Sequence, residues 1–121
     1  MKILVADDSD VMRKVIVTYL AELGLRDVDH ATDGAEALTK GKAGAYDLIL
    51  LDWNMPKFLG IDVLRRLRGD GVKTPIAMVT TEVNKQAVLE AIKAGAQSYI
   101  MKPFQRETFV SRIRQLIDKA G

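Results

Sequence analysis

Leu48-Ile49-Leu50-Leu51-Asp52-Trp53-Asn54-Met55-Pro56 is the stretch that decides the fold. Four apolar residues in a row stop at a carboxylate, and a proline stiffens the loop behind it. A short apolar run bounded by polar and turn residues reads as a strand buried on both faces. The same pattern recurs three times. Ile3-Leu4-Val5-Ala6 meets Asp7 and Asp8, Ile76-Ala77-Met78-Val79 meets Thr80, and Tyr99-Ile100-Met101 meets Lys102. A fifth run, Asp27-Val28-Asp29-His30-Ala31, only alternates, which suits a sheet edge. Strands are predicted over about 2–7, 27–31, 47–51, 75–79 and 98–101.

Segments of helical period fill the gaps. Met12, Val15, Ile16, Tyr19, Leu20 and Leu23 draw one apolar stripe that ends at Gly24. Asp33-Gly34 opens a second helix, closed by Gly41 and Gly44, and Leu59-Gly60 opens a third, ended by Gly69 and Gly71. Lys93-Ala94-Gly95-Ala96 ends a fourth, and Phe109, Ile113, Leu116 and Ile117 mark the last. Strands alternating with helices predict an α/β, doubly wound parallel sheet with helices on two faces. In such a sheet the carboxyl ends of the strands share one edge, where ligands bind. Asp7, Asp8, Asp52, Thr80 and Lys102 therefore converge, and Glu82 overhangs the same crevice.

Composition narrows the function. A chain of 121 residues that is 48% hydrophobic and 28% charged suits one globular domain, residues 1–121. There is no cysteine, hence no thiolate metal site. No apolar run approaches the about 20 residues of a membrane span, and no signal peptide opens the chain, so no membrane partner and a cytoplasmic location are expected. The net charge of +2 does not by itself imply nucleic-acid binding.

The converging residues suggest chemistry. Three clustered carboxylates repel one another, and a proton or a cation must relieve that. Hard oxygen ligands suit Mg2+. Ser9 or Asp10 is expected to cap the first helix, leaving Asp7 and Asp8 free. Asp52 is the candidate nucleophile, able to attack phosphorus and form an acyl phosphate. Lys102 would neutralise the phosphoryl oxygens, its direction fixed by Pro103, since a residue before proline is held extended. Thr80 offers a hydroxyl to the added group.

The chain resembles the receiver domain of two-component response regulators, nearest to the stand-alone chemotaxis receivers. The resemblance spans the chain. It rests on Asp7-Asp8, Asp52-Trp53-Asn54-Met55-Pro56, Val79-Thr80-Thr81-Glu82, Lys93-Ala94-Gly95-Ala96 and Tyr99 through Lys102-Pro103-Phe104. It implies a flavodoxin-like sheet of five strands in the order 2-1-3-4-5 with five helices. It implies a phosphoacceptor, not an enzyme in its own right, with self-catalysed phosphotransfer and autodephosphorylation. Asp52 would take phosphate from a CheA-like sensor histidine kinase. Asp8 and Asp52 would hold Mg2+ through their side chains, Asp7 mostly through water, and Asn54 through its backbone carbonyl. Thr80 would move to the phosphoryl group, Tyr99 would turn inward into the space vacated, and Asn54 and Glu82 would tune dephosphorylation. The Lys102-Pro103 bond would be cis. Output would leave by the fourth helix, fifth strand and last helix, where exposed Lys85, Lys93, Arg106 and Arg112 would meet a motor-switch protein or a phosphatase. One stretch departs from many receivers: Phe58-Leu59-Gly60 stands where a Met-Asp-Gly triplet is common, removing a capping Asp from the third helix and adding apolar surface.

Other readings fare worse. A hydrolase of the haloacid dehalogenase type needs a second Asp where this chain has Asn54. A P-loop fails on the spacing of Gly34 and Gly41-Lys42 and on Ala43. A histidine phosphocarrier would need His30, which sits on the predicted edge strand. The alternative with more substance is a receiver belonging to a longer regulator with a DNA-binding or enzymatic output domain, Lys119-Ala120-Gly121 following directly on the last helix.

Overall fold

The computed structural model describes residues 1–120; Gly121 lies outside the described residues. The elements run β1 (Lys2–Ala6), α1 (Asp10–Glu22), β2 (Asp27–Ala31), α2 (Gly34–Ala43), β3 (Leu48–Leu51), α3 (Gly60–Gly69), β4 (Ile76–Thr80), α4 (Lys85–Ala94), β5 (Ser98–Met101) and α5 (Arg106–Ala120). All pairings are parallel, in the order β2-β1-β3-β4-β5. The order implied by the resemblance and the edge position of the alternating strand both hold.

The two-residue period of the strands splits the core into two layers. Ile3, Val5, Leu48, Leu50, Ala77, Val79 and Ile100 face α1 and α5, meeting Ile16, Leu20, Phe109 and Ile113. Leu4, Ala6, Ile49, Leu51, Ile76 and Met78 face the other way, meeting Ala37, Leu64, Leu67 and Ala91 of α2, α3 and α4. Each fully buried Leu or Ile contributes about 1.5–3 kcal/mol. Both layers are continuous along β1, β3 and β4, so these strands have no polar face.

Several boundaries differ from expectation. Gly41 does not close α2; it lies buried within it, where a Cβ would press on the Leu67 side chain, and the helix runs on to Gly44. β1 stops at Ala6 and β4 continues through Thr80. Gly24, with φ +78°, stands one residue past the Leu23 cap of α1.

The amino edge of the sheet is closed by Arg68 at the end of α3. Its guanidinium donates to the carbonyls of Val72, Thr74 and Gly95 and to Gln97 Oε1, at 2.8–3.2 Å. Gln97 Oε1 in turn accepts from Ile76 N at 2.8 Å, at the start of β4. Nearby, Tyr46 donates to Asp29 Oδ2 at 2.7 Å. On the other flank Phe104 stacks on Phe109 and Tyr19 meets both rings at an angle, joining α1, the loop after β5, and α5.

Candidate functional site

The hydrogen-bond ladder runs one residue past the strands, and that sets the site. Asp7 N donates to Ala31 O, Asp52 N to Ala6 O, and Lys102 N to Thr80 O, at 2.9–3.0 Å. Asp7, Asp52 and Lys102 are thus fixed by backbone bonds at the carboxyl edge before any side chain acts. Asp7 and Asp52 are buried, Thr80 is fully buried, and Asp8 is exposed. One carboxylate oxygen from each of Asp7, Asp8 and Asp52 lies within 4.8 Å of the others.

Lys102 Nζ donates to Asp7 Oδ2 at 2.6 Å and to Asp52 Oδ2 at 3.1 Å. Burial pulls its pKa down, but the hydrogen bond to Asp7 and the charge of Asp52 outweigh that and hold it above the ordinary lysine value. It is an ammonium at neutral pH. One ammonium against three carboxylates leaves the crevice with two uncompensated negative charges. The Lys102–Pro103 peptide is cis, as the resemblance implied.

Ser9 caps α1, its Oγ accepting from Met12 N at 3.1 Å. Asp8 is spared a cap, as expected, but Asp7 is not wholly free, since its Oδ1 accepts from Ser9 N at 2.9 Å. Asp10 turns instead to Arg13, a side chain that sequence reading passed over. Arg13 is buried and donates through Nη1 to the Asp7 carbonyl at 2.6 Å. Its Nε is buried with no partner among the described residues. Sitting between Met12 and Lys14 on an amphipathic helix, it reads as surface; only its offset from Ile16 and Leu20, one turn and two turns on, places it on the inner face.

Behind the carboxylates lie the other four candidates. Asn54 Nδ2 donates to Glu82 Oε1 at 3.1 Å. Glu82 N donates to Thr80 Oγ1 at 3.2 Å. The Tyr99 hydroxyl donates to the Glu82 carbonyl, with the residue buried on the α4 side of the sheet. Burial raises the Tyr99 phenol pKa, and the charges of Glu82 and Asp52 add to the rise.

The loop after Asp52 is packed hard. Gly60 N donates to Trp53 O at 2.7 Å, and a Cβ on Gly60 would fall inside contact distance of the Asp52 carbonyl oxygen. Gly34 is equally tight against the Phe58 carbonyl. Leu59 caps α3 with no side-chain bond, as the missing Asp implied, and Phe58 and Leu59 are exposed.

On the expected output face Lys85, Lys93 and Arg112 are exposed, with Leu89, Ile92 and Met101 among them. Arg106 does not join them as expected. Its Nε donates to both Glu22 carboxylate oxygens at 2.7 and 2.8 Å, which turns it toward α1. That partner is 84 residues away in sequence and gave no local signal. Arg112 Nη1 donates to the Tyr99 carbonyl at 2.9 Å. His30 is exposed on β2, the edge strand two places from β3. No helix among the described residues is long and apolar enough to cross a membrane.

The model of the response regulator receiver domain matches residues 3–114. The chain belongs to this family. This receiver is 37% identical to the chemotaxis protein CheY of Pseudomonas aeruginosa over 123 aligned positions, covering all of this chain and 99% of that one. It is 36% identical to chemotaxis protein CheY-3 of Vibrio cholerae, covering 98% of this chain and 93% of that one. Among solved structures it superposes on the Francisella response regulator 1452 receiver domain with a TM-score of 0.91 at 33% identity, over 99% of this chain and 98% of that one. The receiver's acidic cluster is compatible with a divalent cation: such an ion takes oxygens at about 2.0–2.1 Å, and three carboxylate oxygens within 4.8 Å of each other can close on one.

Proposed function

We propose that this receiver is a phosphorylation-activated response regulator with Asp52 as acceptor. The observation that carries the reading is the grip of Lys102 on Asp52 inside a cluster of three carboxylates. Asp7, Asp8 and Asp52, with the Asn54 carbonyl, would hold Mg2+, which when bound neutralises charge on the transferring phosphoryl group. Asp52 attacks the phosphorus of a sensor kinase's phosphohistidine. The new O–P bond forms as the N–P bond breaks, and the departing imidazole takes a proton from water. Lys102 then exchanges a carboxylate partner for a phosphoryl oxygen without leaving its place. No second substrate is turned over, so the chain is a self-catalysing acceptor rather than an enzyme.

Phosphorylation adds roughly two negative charges and new acceptor oxygens. Thr80, at the next strand end, donates its hydroxyl to them and releases the Glu82 amide. Tyr99 answers that movement. A few kcal/mol of differential binding shifts such a population. The signal leaves by α4, β5 and α5, where Lys85, Lys93 and Arg112 surround Leu89, Ile92 and Met101 and suit an acidic, amphipathic partner segment. The likeness to CheY proteins favours a CheA-like kinase, a motor-switch protein or phosphatase as partner, a role in chemotaxis and a cytoplasmic location.

Intact mass and Trp53 fluorescence, with Mg2+ and then a small acyl-phosphate donor, test this. The expected result is a Mg2+-dependent gain of one phosphoryl group that decays once donor is removed and is absent in Asp52→Asn. A phosphoryl gain that persists in Asp52→Asn would overturn the assignment.

A further inference from the structure

Asp7 is anchored along its whole length, and its neighbour Asp8 is not. The Asp7 amide donates to Ala31 O, its Oδ1 accepts from Ser9 N, and its Oδ2 accepts from Lys102. Asp8 is exposed, and its side chain bonds to no other described residue. Yet one of its carboxylate oxygens lies within 4.8 Å of those of Asp7 and Asp52. What aims it there is the rigid peptide plane between Asp7 and Asp8, because turning that plane swings Asp8 away. The carbonyl of that plane is the one Arg13 grips, its Nη1 donating to Asp7 O at 2.6 Å. The Arg13 Nη2 meets the Asp10 carboxylate. One guanidinium therefore ties both ends of the turn Asp7-Asp8-Ser9-Asp10.

We propose that Arg13 is a positioning residue for Asp8: it fixes the Asp7–Asp8 peptide so that the Asp8 carboxylate faces the cluster. The residue type fits this. A planar fork can hold a carbonyl and a carboxylate at once, whereas a lysine ammonium is a single point on a flexible stem. The setting fits as well. Arg13 is 9% exposed and its Nε is buried with no partner among the described residues, a costly place for a cation that only covered α1. Charge alone argues for another residue, since a buried cation beside three carboxylates opposes the entry of a second cation. The contribution of Arg13 is therefore geometric and outweighs that opposition. The inference rests on the Mg2+ reading of the cluster for what Asp8 does there; the tie between Arg13 and the turn exists in the metal-free chain.

The test compares wild type with Arg13→Met, Arg13→Lys, Asp8→Asn and the double variant Asp8→Asn with Arg13→Met, all without phosphoryl donor. Mg2+ affinity is read from Trp53 fluorescence at constant ionic strength. The turn is read from the 1H–15N signals of Asp8 and Ser9 in metal-free protein. Arg13→Met is expected to weaken Mg2+ binding about tenfold, as losing a partner that orients a ligand does, whereas a purely electrostatic role would tighten it. Arg13→Lys keeps the charge and a single grip, so it should fall between the two, and it carries the test if the apolar variant does not fold. The Asp8 and Ser9 signals should shift in both. In the Asp8→Asn background, Arg13→Met should leave the residual Mg2+ affinity unchanged while lowering stability to denaturant as much as it does alone. Unchanged or tighter Mg2+ binding in the Arg13 variants would overturn the proposal, as would an equal loss of affinity in the Asp8→Asn background. A wild type that ignores Mg2+ would instead sink the cation reading, and the Asp8 and Ser9 signals would then decide for or against Arg13: shifted, it holds the turn; unmoved, it does not.

Discussion

The two edges of the sheet solve opposite problems. At the amino edge one cation, Arg68, meets four acceptors from two loops, and the set is satisfied within the chain. At the carboxyl edge three carboxylates share one ammonium, and the set is left two charges short. Both edges are built on the same strands, with the same backbone ladder. The difference lies in whether the polar groups need anything from outside. A satisfied edge holds the fold together, and an unsatisfied one is ready for a ligand.

The largest expected effect comes where the two demands meet. Gly60→Ala puts a methyl against the Asp52 carbonyl, so the acceptor loop must move. A loss of about 3 kcal/mol in denaturant unfolding is expected, typical of overpacking against backbone, together with weaker Mg2+ binding read from Trp53. Arg68→Ala at the opposite edge should cost about 2–3 kcal/mol by leaving several partly buried carbonyls unpaired, yet leave the Mg2+ response of Trp53 intact. If Arg68→Ala impaired Mg2+ binding as much as Gly60→Ala, the division between the edges would fail.

Asp8→Asn is the mirror test. Asp8 is exposed and the substitution relieves repulsion, so the metal-free protein should gain up to about 1 kcal/mol, within the range for surface changes. The stabilisation that Mg2+ confers on the wild type, by binding only the native state, should shrink. A melting temperature that rises equally with Mg2+ in both proteins would remove Asp8 from the cation set.

The smallest effect is confined to alkali. Burial, with the bond to Asp29, pushes the Tyr46 phenol up to about 12 from 10.0. The folded state holds this proton more tightly, so its contribution is complete below pH 10 and is lost as pH rises through about 12. Tyr46→Phe should flatten the stability profile over that window. An unchanged slope would show that the phenol is not held at the amino edge as described.

The fold was legible because β1, β3 and β4 announce themselves as unbroken apolar runs, and each ends at a residue that bears chemistry. β2 and β5 were placed to the residue. The convergence of Asp7, Asp8, Asp52 and Lys102 followed from parallel topology alone. What stayed hidden were cations whose partners are distant in sequence. Arg68 closes a run, Arg65-Arg66-Leu67-Arg68, that reads as a solvated face, and the carbonyls it binds lie up to 27 residues on. Arg13 looked like surface although its partners Asp7 and Asp10 are near in sequence, because only packing sets its helix face, and Arg106 was assigned to the wrong side of α5. Gly41 was read as a helix end because its packing against Leu67 is a tertiary fact.

The strand order has a mechanical consequence. Asp7 and Asp52 extend β1 and β3, each paired on both sides, whereas Tyr99 belongs to β5, which pairs with β4 alone. Local opening free energies scale with how much structure must be broken. The groups that would hold the incoming charge are therefore seated in the stiffest part of the molecule. The groups that must respond are seated on a strand that can slide or swing without tearing the sheet. An acceptor fixed in place beside a responder free to yield lets one small chemical event do mechanical work in a single direction, outward through β5.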